Sequence, residues 1–407
     1  MKVYTDNETI ERILTKAVEQ ILPSKQFLEQ KLRSRQRLNV YQGFDPTADT
    51  LHIGHTVGMR KLEDFRKLGH HVIFLIGDFT ARIGDPSDKA TARKVLSEEQ
   101  VKQNLKNYVE QASHIIDMNN KENPVDILFN STWHEKLTFK EVIQLSTEFT
   151  VQQMLKRSMF QQRIKEDRPI YLNEFLYPIM QGYDSVMMNI DVEIGGNDQL
   201  FNMLAGRDMV LNHLQKEKIV LATRLLTTPD GTKMGKSEGN MIKLSDRPEE
   251  IYGKVMASPD DMLIQMFELL TSATSDEVDE YKKRLENEEN PMNLKKELAF
   301  RITKEVKTEK EAQQAQKHFE TVFQTKKADT DTIEKKIIDQ KEIPILDLLM
   351  NIGFTNSKAQ GRRLIEQGAV KINNKKCSDY KTIIDLTNTP ETILKAGRHI
   401  CSIRYGR

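Results

Sequence analysis

The chain has 407 residues, 38% of them hydrophobic and 30% charged, and 61 Lys+Arg against 60 Asp+Glu leave a net charge of +1. That length admits two or three domains with substantial cores, and the near-neutral balance excludes a global field steering the whole molecule onto nucleic acid. Two cysteines, Cys377 and Cys401, without C-x-x-C spacing or a histidine cluster, exclude a disulfide framework and a zinc site and point to a reducing, cytoplasmic setting.

The N-terminal stretch mixes charges (Glu8, Glu11, Arg12, Lys16, Glu19) and reads as neither a signal peptide nor an Arg-rich transit peptide. No apolar run reaches the length of a membrane span. Residues 1–38 read as packing helices, with Ile10, Ile13, Leu14, Ala17, Val18 and Ile21 in one apolar stripe that Phe27, Leu28 and Leu32 continue past Pro23. Residues 39–44 read as a strand. Asp45-Pro46-Thr47 reads as a turn, because proline fixes φ and aspartate bonds its own backbone. Met59, Leu62 and Phe65 then recur at helical spacing, so a helix starts near His52 in Leu51-His52-Ile53-Gly54-His55. A strand, a turn and a helix start carrying Thr47, His52 and His55 form a natural phosphate site, since exposed N–H groups and the helix dipole both favour an anion.

Residues 71–76 are an apolar run between Gly69 and Gly77 and read as a buried parallel strand. With the preceding strand and helix they make a β-α-β unit, whose ligands bind beyond the strand carboxyl ends. Gly84-Asp85-Pro86-Ser87 leaves from that end, and Lys89, Arg93 and Lys94 follow as spaced cations able to clamp phosphate. Ser97-Glu98-Glu99-Gln100 is a capping box that opens a helix running to about residue 118. Residues 125–129 read as a strand, and 137–145 and 150–164 as amphipathic helices.

A helix spans about 172–188, with a start or kink at Pro178. Its Tyr177, Gln181 and Asp184 fall at i, i+4 and i+7 and share one face, as a pocket lining or a solvent stripe. A short strand, 192–194, leads into Gly195-Gly196-Asn197-Asp198-Gln199, where the glycines let backbone approach a ligand and Asp198 can accept a ribose hydroxyl. A helix at 200–214 and a strand at 220–225 deliver Lys233-Met234-Gly235-Lys236-Ser237, a Gly-flanked loop with two cations.

Residues 247–325 are helical and highly charged. Residues 324–342 are polar without apolar periodicity and read as a linker. Ile345, Leu348, Leu349 and Ile352 make one further helix, 357–368 another that ends at Gly368, and 370–373 a strand. From residue 341 on, twelve Lys+Arg face six Asp+Glu, so positive charge concentrates at this end.

His52-Ile53-Gly54-His55 and Lys233-Met234-Gly235-Lys236-Ser237, in this order and at this separation, resemble the two signatures of class I aminoacyl-tRNA synthetases. Segments 41–55, 84–87, 177–184, 195–199 and 233–237 stand in family order and extend the resemblance over nearly the whole chain, to the bacterial-type tyrosyl-tRNA synthetase family. It implies an α/β fold with a Rossmann-like parallel-sheet catalytic domain (1–226) and a helical anticodon-binding domain with the lysine loop (227–325). A linker (326–342) and a small α+β RNA-binding domain (343–407), similar to a module of a small-subunit ribosomal protein, complete it. The implied reaction joins tyrosine to the α-phosphate of ATP, then moves the tyrosyl group to the 3′ end of tRNA(Tyr).

By the same resemblance Tyr41 and Asp184 bind the tyrosine phenol, and Asp85, Tyr177, Gln181 and Gln199 surround its α-amino group. Gly43, Asp45, Gly54, Gly196 and Asp198 bind ATP and adenylate. Thr47, His52, Lys233, Lys236 and Ser237 act on the phosphates, with Lys89 and Arg93, and His55, also catalytic, contacts the ribose side. Lys358, Arg362 and Arg363 grip tRNA. Mg²⁺ accompanies ATP without a tightly bound protein site, and the partners are ATP, L-tyrosine, tRNA(Tyr) and a second copy in a homodimer, with no membrane. Three positions depart from the family pattern: Gln42 at a variable position, Asp88 where a small glycine is common, and Leu200 where an aromatic or lysine is frequent. A tryptophan-specific relative shares the fold; Tyr41 with Asp184 favours a phenol, although an indole N–H also reaches a carboxylate. A small-molecule nucleotidyltransferase needs no helical and RNA-binding domains, and an RNA-binding regulator needs no intact His52, His55, Lys233 and Lys236.

Overall fold

Buried apolar runs assemble one six-stranded sheet in the computed structural model, which describes residues 2–87, 96–228, 241–324, 334–373, 375–387, 391–397 and 399–406. Its strands are β1 (Val18–Leu22), β2 (Asn39–Phe44), β3 (His71–Ile76), β4 (Asp126–Phe129), β5 (Val192–Gly196) and β6 (Ile219–Thr223), in the order β1-β6-β5-β2-β3-β4. Strands β2 to β6 are parallel, and β1 closes one edge antiparallel to β6. All of β6 and residues 72–76 of β3 are buried, as expected of strands covered on both faces. The His55–Lys67 helix covers the sheet with Val57 and with Met59, Leu62 and Phe65, the three residues whose spacing predicts it.

From β2 the chain steps outward through β3 and β4, whereas β5 and β6 lie on the other side. That reversal opens a crevice between β2 and β5, the usual ligand position in a sheet of this kind. Tyr41 and Glu193 are register partners across it.

Three stretches before residue 166 differ from expectation. The first 38 residues contain β1 between the helices Asn7–Thr15 and Lys25–Arg33. Apolar residues at 18 and 21 suit either structure locally, and pairing with β6 decides for the strand. The helix expected over 97–118 keeps its capping box at Ser97 but divides into Glu98–Leu105 and Tyr108–Ser113. The break accompanies two tethers to one loop, Asn104 Nδ2 to Pro46 O and Tyr108 Oη to Ala48 O, both 2.8 Å. The helix expected over 150–164 divides into Val151–Leu155 and Ser158–Lys165 at Arg157. Arg157 is extended there, with its guanidinium turned inward 4.8 Å from the Phe201 ring and 2.5 Å from Ser87 Oγ. The Leu172–Met187 helix runs unbroken through Pro178.

The chain divides into two compact units, Met1–Gln313 and Gln314–Arg407. Within the first, helices Pro248–Met256, Leu263–Leu270, Ser275–Glu286 and Pro291–Val306 bury Ile251, Leu263, Phe267, Leu298 and Ile302. Their many charges lie outward, as a solvated face requires.

The second unit packs helices Ile345–Asn351 and Lys358–Glu366 on a sheet through Leu348, Leu349, Ile365, Val370, Leu394 and Ile403. Gly368, at φ +70°, ends the second helix in the left-handed region. Part of the stretch expected to be a linker is a strand, Glu334–Ile338, paired parallel with His399–Tyr405. It is an edge strand held by its main-chain ladder; Ile337 is 71% exposed, so burial imposed no apolar period.

Candidate active site

A cleft of about 230 Å³ opens at the β2–β5 reversal. β2 and the turn after it supply Tyr41, Gly43, Asp45 and Thr47, and the helix start supplies His52, Gly54 and His55. The segment after β3 contributes Asp85, the Leu172–Met187 helix contributes Tyr177, Gln181 and Asp184, and β5 with its following turn contributes Gly196, Asp198 and Gln199. Residues that the sequence places up to 158 positions apart thus border one space. Lys89, Arg93, Lys233, Lys236 and Ser237 lie outside the described residues, as does Asp88.

The two ends of the lysine loop are described, and both reach the cleft. Arg224, Leu225 and Leu226 line it on the way in. On the way out, Ile242 O accepts from Ile53 N at 2.9 Å, Leu244 N donates to Leu51 O at 2.9 Å, and His52 bridges Lys243. The described chain before the loop thus lines the cleft, and the chain after it is bonded to the His52–His55 turn.

That turn fixes the histidine tautomers. His52 Nδ1 accepts from Gly54 N at 3.1 Å, and His55 Nδ1 accepts from His52 N at 3.0 Å. A neutral imidazole that accepts on one nitrogen carries its proton on the other, so both rings hold an Nε2–H. The two rings lie 3.8 Å apart.

Carboxylates dominate the floor. Asp45 accepts from Thr80 Oγ1 at 2.7 Å and from Tyr177 Oη at 2.8 Å. Gly77 makes this possible, since a Cβ there would stand 1.9 Å from Asp45 Oδ1. Asp85 Oδ1 accepts from Ser87 N and Oγ at 2.9 and 2.7 Å, while its Oδ2 accepts from Gln199 Nε2 at 2.6 Å. Asp184 Oδ1 accepts from Trp133 Nε1 and His134 Nε2, each at 2.7 Å, and Oδ2 from Asn130 Nδ2 at 3.2 Å. Burial raises the Asp184 pKa, and these three donors oppose that.

Burial, reinforced by Glu193 and Asp184, pushes the Tyr41 phenol well above its ordinary range. Burial, with Asp45 and Asp85, does the same to Tyr177. Both therefore keep their protons at neutral pH and serve as hydroxyls. Among the described lining residues, Asp45, Asp85, Asp184, Glu193 and Asp198 face one arginine, Arg224. Such a floor attracts an ammonium group, and a polyphosphate in the same cleft requires cations from elsewhere.

Several contacts escaped the sequence reading. Trp133, His134 and Asn130 hold Asp184 from about fifty residues upstream. Glu193 accepts from Tyr41 Oη at 2.7 Å and from Gln181 Nε2 at 2.9 Å. A glutamate inside an otherwise apolar strand was the available signal, because lone charges are seldom buried. In the second unit, Lys358, Arg362 and Arg363 share one helix. Lys358 pairs with Asp347 at 2.5 Å; Arg362 pairs with Glu366 at 2.9 Å and lies 4.3 Å from the Tyr380 ring centre.

Comparison with known proteins gives two family matches: "tRNA synthetases class I (W and Y)" over residues 33–324, and "Tyrosine--tRNA ligase SYY-like C-terminal domain" over 324–399. The chain is 40% identical to the tyrosine–tRNA ligase of Thermotoga maritima over 389 residues, 95% of either chain. It is 39% identical to that of Dehalococcoides mccartyi over 391 residues, 96% of either chain. In fold it is similar to a C-terminally truncated mitochondrial tyrosyl-tRNA synthetase of Aspergillus nidulans, at TM-score 0.65 and 22% identity over 78% of this chain and 95% of that one. No helix of the described residues is long and apolar enough to cross a membrane.

Proposed function

From the premise that the chain belongs to the class I tyrosyl-tRNA synthetases, and so is a tyrosine–tRNA ligase, we propose that the β2–β5 cleft is where tyrosine meets ATP. The observation that carries the reading is the convergence of a buried Tyr41–Asp184 pair with the His52–His55 helix start in one cleft. Tyr41 and Asp184 receive the phenol. Asp85, Tyr177, Gln181 and Gln199 surround the α-ammonium group, which the anionic floor attracts. The amino acid's carboxylate then points toward the helix start, where the α-phosphate of ATP lies.

A carboxylate attacking phosphorus needs no strong base. It needs alignment and stabilisation of the charge on the phosphoryl group and the leaving pyrophosphate. A tyrosine carboxylate oxygen forms the bond to Pα, the bond from Pα to the bridging oxygen breaks, and pyrophosphate leaves with that electron pair. Thr47 and the His52 Nε2–H donate toward the γ-phosphate, and His55 serves the ribose side. Gly43, Gly54 and Gly196 let backbone approach the nucleotide, beside Asp45 and Asp198. Lys233, Lys236 and Ser237, with Lys89 and Arg93, close over the pyrophosphate. Mg²⁺ enters as part of the Mg–ATP substrate, carried on phosphate oxygens and water, a mode that requires no cage of protein ligands. In the second step the terminal ribose hydroxyl of tRNA(Tyr) attacks the tyrosyl carbonyl and AMP leaves.

Amino-acid-dependent ATP–pyrophosphate exchange tests the site. Exchange is expected with tyrosine and not with phenylalanine or tryptophan. Exchange with tryptophan would overturn the phenol assignment at Tyr41 and Asp184, and no exchange with any of them would overturn the site.

In the second unit, Lys358, Arg362 and Arg363 bind tRNA phosphates in this reading. The full-length Arg362→Glu/Arg363→Glu variant is expected to keep pyrophosphate exchange and bind tRNA more weakly. Its log affinity should depend less steeply on log salt, by about two in slope if each arginine neutralises one phosphate. An unchanged slope would remove both arginines from the interface. A homodimer is supported by large apolar side chains open to solvent on three helices of the 139–187 region, Phe139 at 81%, Val151 at 61% and Leu172 at 83% exposure. The buried free thiols Cys377 and Cys401 suit the cytoplasm, where tRNA is charged.

A further inference from the structure

Lys218 is a fully buried cation just before β6. It does not border the cleft; its Nζ pairs with Glu193 Oε2 and donates to Ser185 Oγ at 3.0 Å. The space it occupies is built for it. Gly182 and Gly206 bring two helices into close approach, and a Cβ on Gly206 would stand 2.5 Å from Lys218 Nζ. Glu193 uses its other oxygen, Oε1, to accept from Tyr41 Oη at 2.7 Å and from Gln181 Nε2 at 2.9 Å. Ser185 Oγ also lies 3.0 Å from Tyr41 Oη. A chain of contacts thus runs from a buried ammonium, through one carboxylate, to two residues of the cleft.

A buried ion pair is weak evidence for stability, because an apolar pair of similar volume often does as well. The arrangement here has a directional consequence instead. We infer that Lys218 is a positioning residue that sets the hydrogen-bond polarity of the tyrosine pocket through Glu193 and Tyr41. Glu193 accepts on both oxygens, from Lys218 Nζ at Oε2 and from Tyr41 Oη at Oε1. The Tyr41 proton is committed to Glu193, and the Tyr41 oxygen turns lone pairs toward the cleft. Asp184, held by three donors, is a second acceptor. The floor therefore selects a ligand with a hydrogen-bond donor at the para position of its ring. Tyrosine supplies one, phenylalanine supplies nothing, and a para-halogen supplies only an acceptor. Without Lys218, Glu193 loses the donor that fixes its carboxylate in place, and Tyr41 can then turn its own proton to the cleft. The inference rests on the reading of Tyr41 and Asp184 as the phenol-binding pair.

The test compares two competitive inhibitors of tyrosine-dependent pyrophosphate exchange, with the full-length protein. p-Aminophenylalanine carries a para donor, and p-fluorophenylalanine only a weak acceptor. The wild type is expected to bind the amino compound more tightly. In Lys218→Met the ratio of the two inhibition constants should shrink about tenfold, the scale of one hydrogen bond, with the fluoro compound gaining on the amino compound. The Lys218→Met/Glu193→Gln pair leaves no lone buried charge and should shrink the ratio too. It carries the test if the single variant does not fold. Equal weakening of both inhibitors, an unchanged ratio, or failure of both variants to fold would assign Lys218 to the core alone and overturn the inference. Tyr41→Phe separates this from the underlying reading. A wild-type ratio in that variant would remove Tyr41 from phenol recognition altogether. A collapsed ratio there, beside intact ratios in the Lys218 variants, would overturn only the role of Lys218.

Discussion

Lys233→Ala is expected to slow tyrosyl-adenylate formation by about 10²- to 10³-fold, the cost of losing one preorganised charge-stabilising donor, while tyrosine binds nearly as before. The expectation follows from the charge of the cleft. Its described lining offers five carboxylates and one arginine, and a departing pyrophosphate is strongly anionic. The helix start and the two Nε2–H groups donate hydrogen bonds, but neutral donors alone do not balance that charge. Of the described chain before and after Lys233, Leu226 lines the cleft and Ile242 is bonded to Ile53 in the His52–His55 turn. On the proposed assignment tyrosine instead meets Tyr41, Asp85, Tyr177, Gln181 and Asp184, on elements outside that loop. Pre-steady-state adenylate formation and equilibrium dialysis with tyrosine separate the two quantities. A parallel loss of tyrosine affinity would contradict a role confined to the phosphates.

Local patterns reveal the frame of this site well and its inner supports poorly. The strand–turn–helix at 39–67 is legible because proline, glycine and a helical apolar period each act within a few residues. The Tyr177–Gln181–Asp184 stripe is legible as a stripe, since helical geometry alone puts the three on one face. Which way the stripe faces depends on Asn130, Trp133 and His134, which reach Asp184 only after β3, β4 and the Leu172–Met187 helix have packed. Lys218 is the extreme case. In Lys216-Glu217-Lys218 it is one charge among three, and no local pattern marks it for burial. Only the close approach of Gly182 and Gly206, 24 residues apart, creates the slot that buries it. The helix breaks near 106 and at Arg157 have the same origin, because side chains with distant partners outweigh a propensity that changes little along the segment. The strand at 334–338 escapes for the opposite reason: an edge strand needs backbone partners rather than an apolar face, so its composition stays polar.

The second large effect is expected at Asp184, whose replacement by alanine should bring the kcat/KM values for tyrosine and phenylalanine closer by about 10- to 100-fold. Asp184 is 3% exposed, and its position is held from behind by the indole, imidazole and amide of Trp133, His134 and Asn130. A phenylalanine ring entering the pocket covers this carboxylate and supplies no donor. The buried acceptor then loses water without replacement, and on the proposed assignment the discrimination arises there. Alanine removes the acceptor and with it the penalty, so phenylalanine recovers relative to tyrosine. It also strands the Trp133 and His134 N–H groups that converge on Oδ1, so thermal stability should fall as well, and a fall in stability alone would leave the ratio uninformative. Asp184→Asn resolves this. Its amide oxygen can still accept from Trp133 and His134, while its NH₂ replaces the second acceptor, forfeits the bond from Asn130 Nδ2 and offers the cleft a donor. That variant should melt closer to the wild type than the alanine variant and still lose selectivity for tyrosine. If it keeps the wild-type tyrosine-to-phenylalanine ratio, the carboxylate is a scaffold for Trp133 and His134, and hydroxyl recognition belongs to Tyr41.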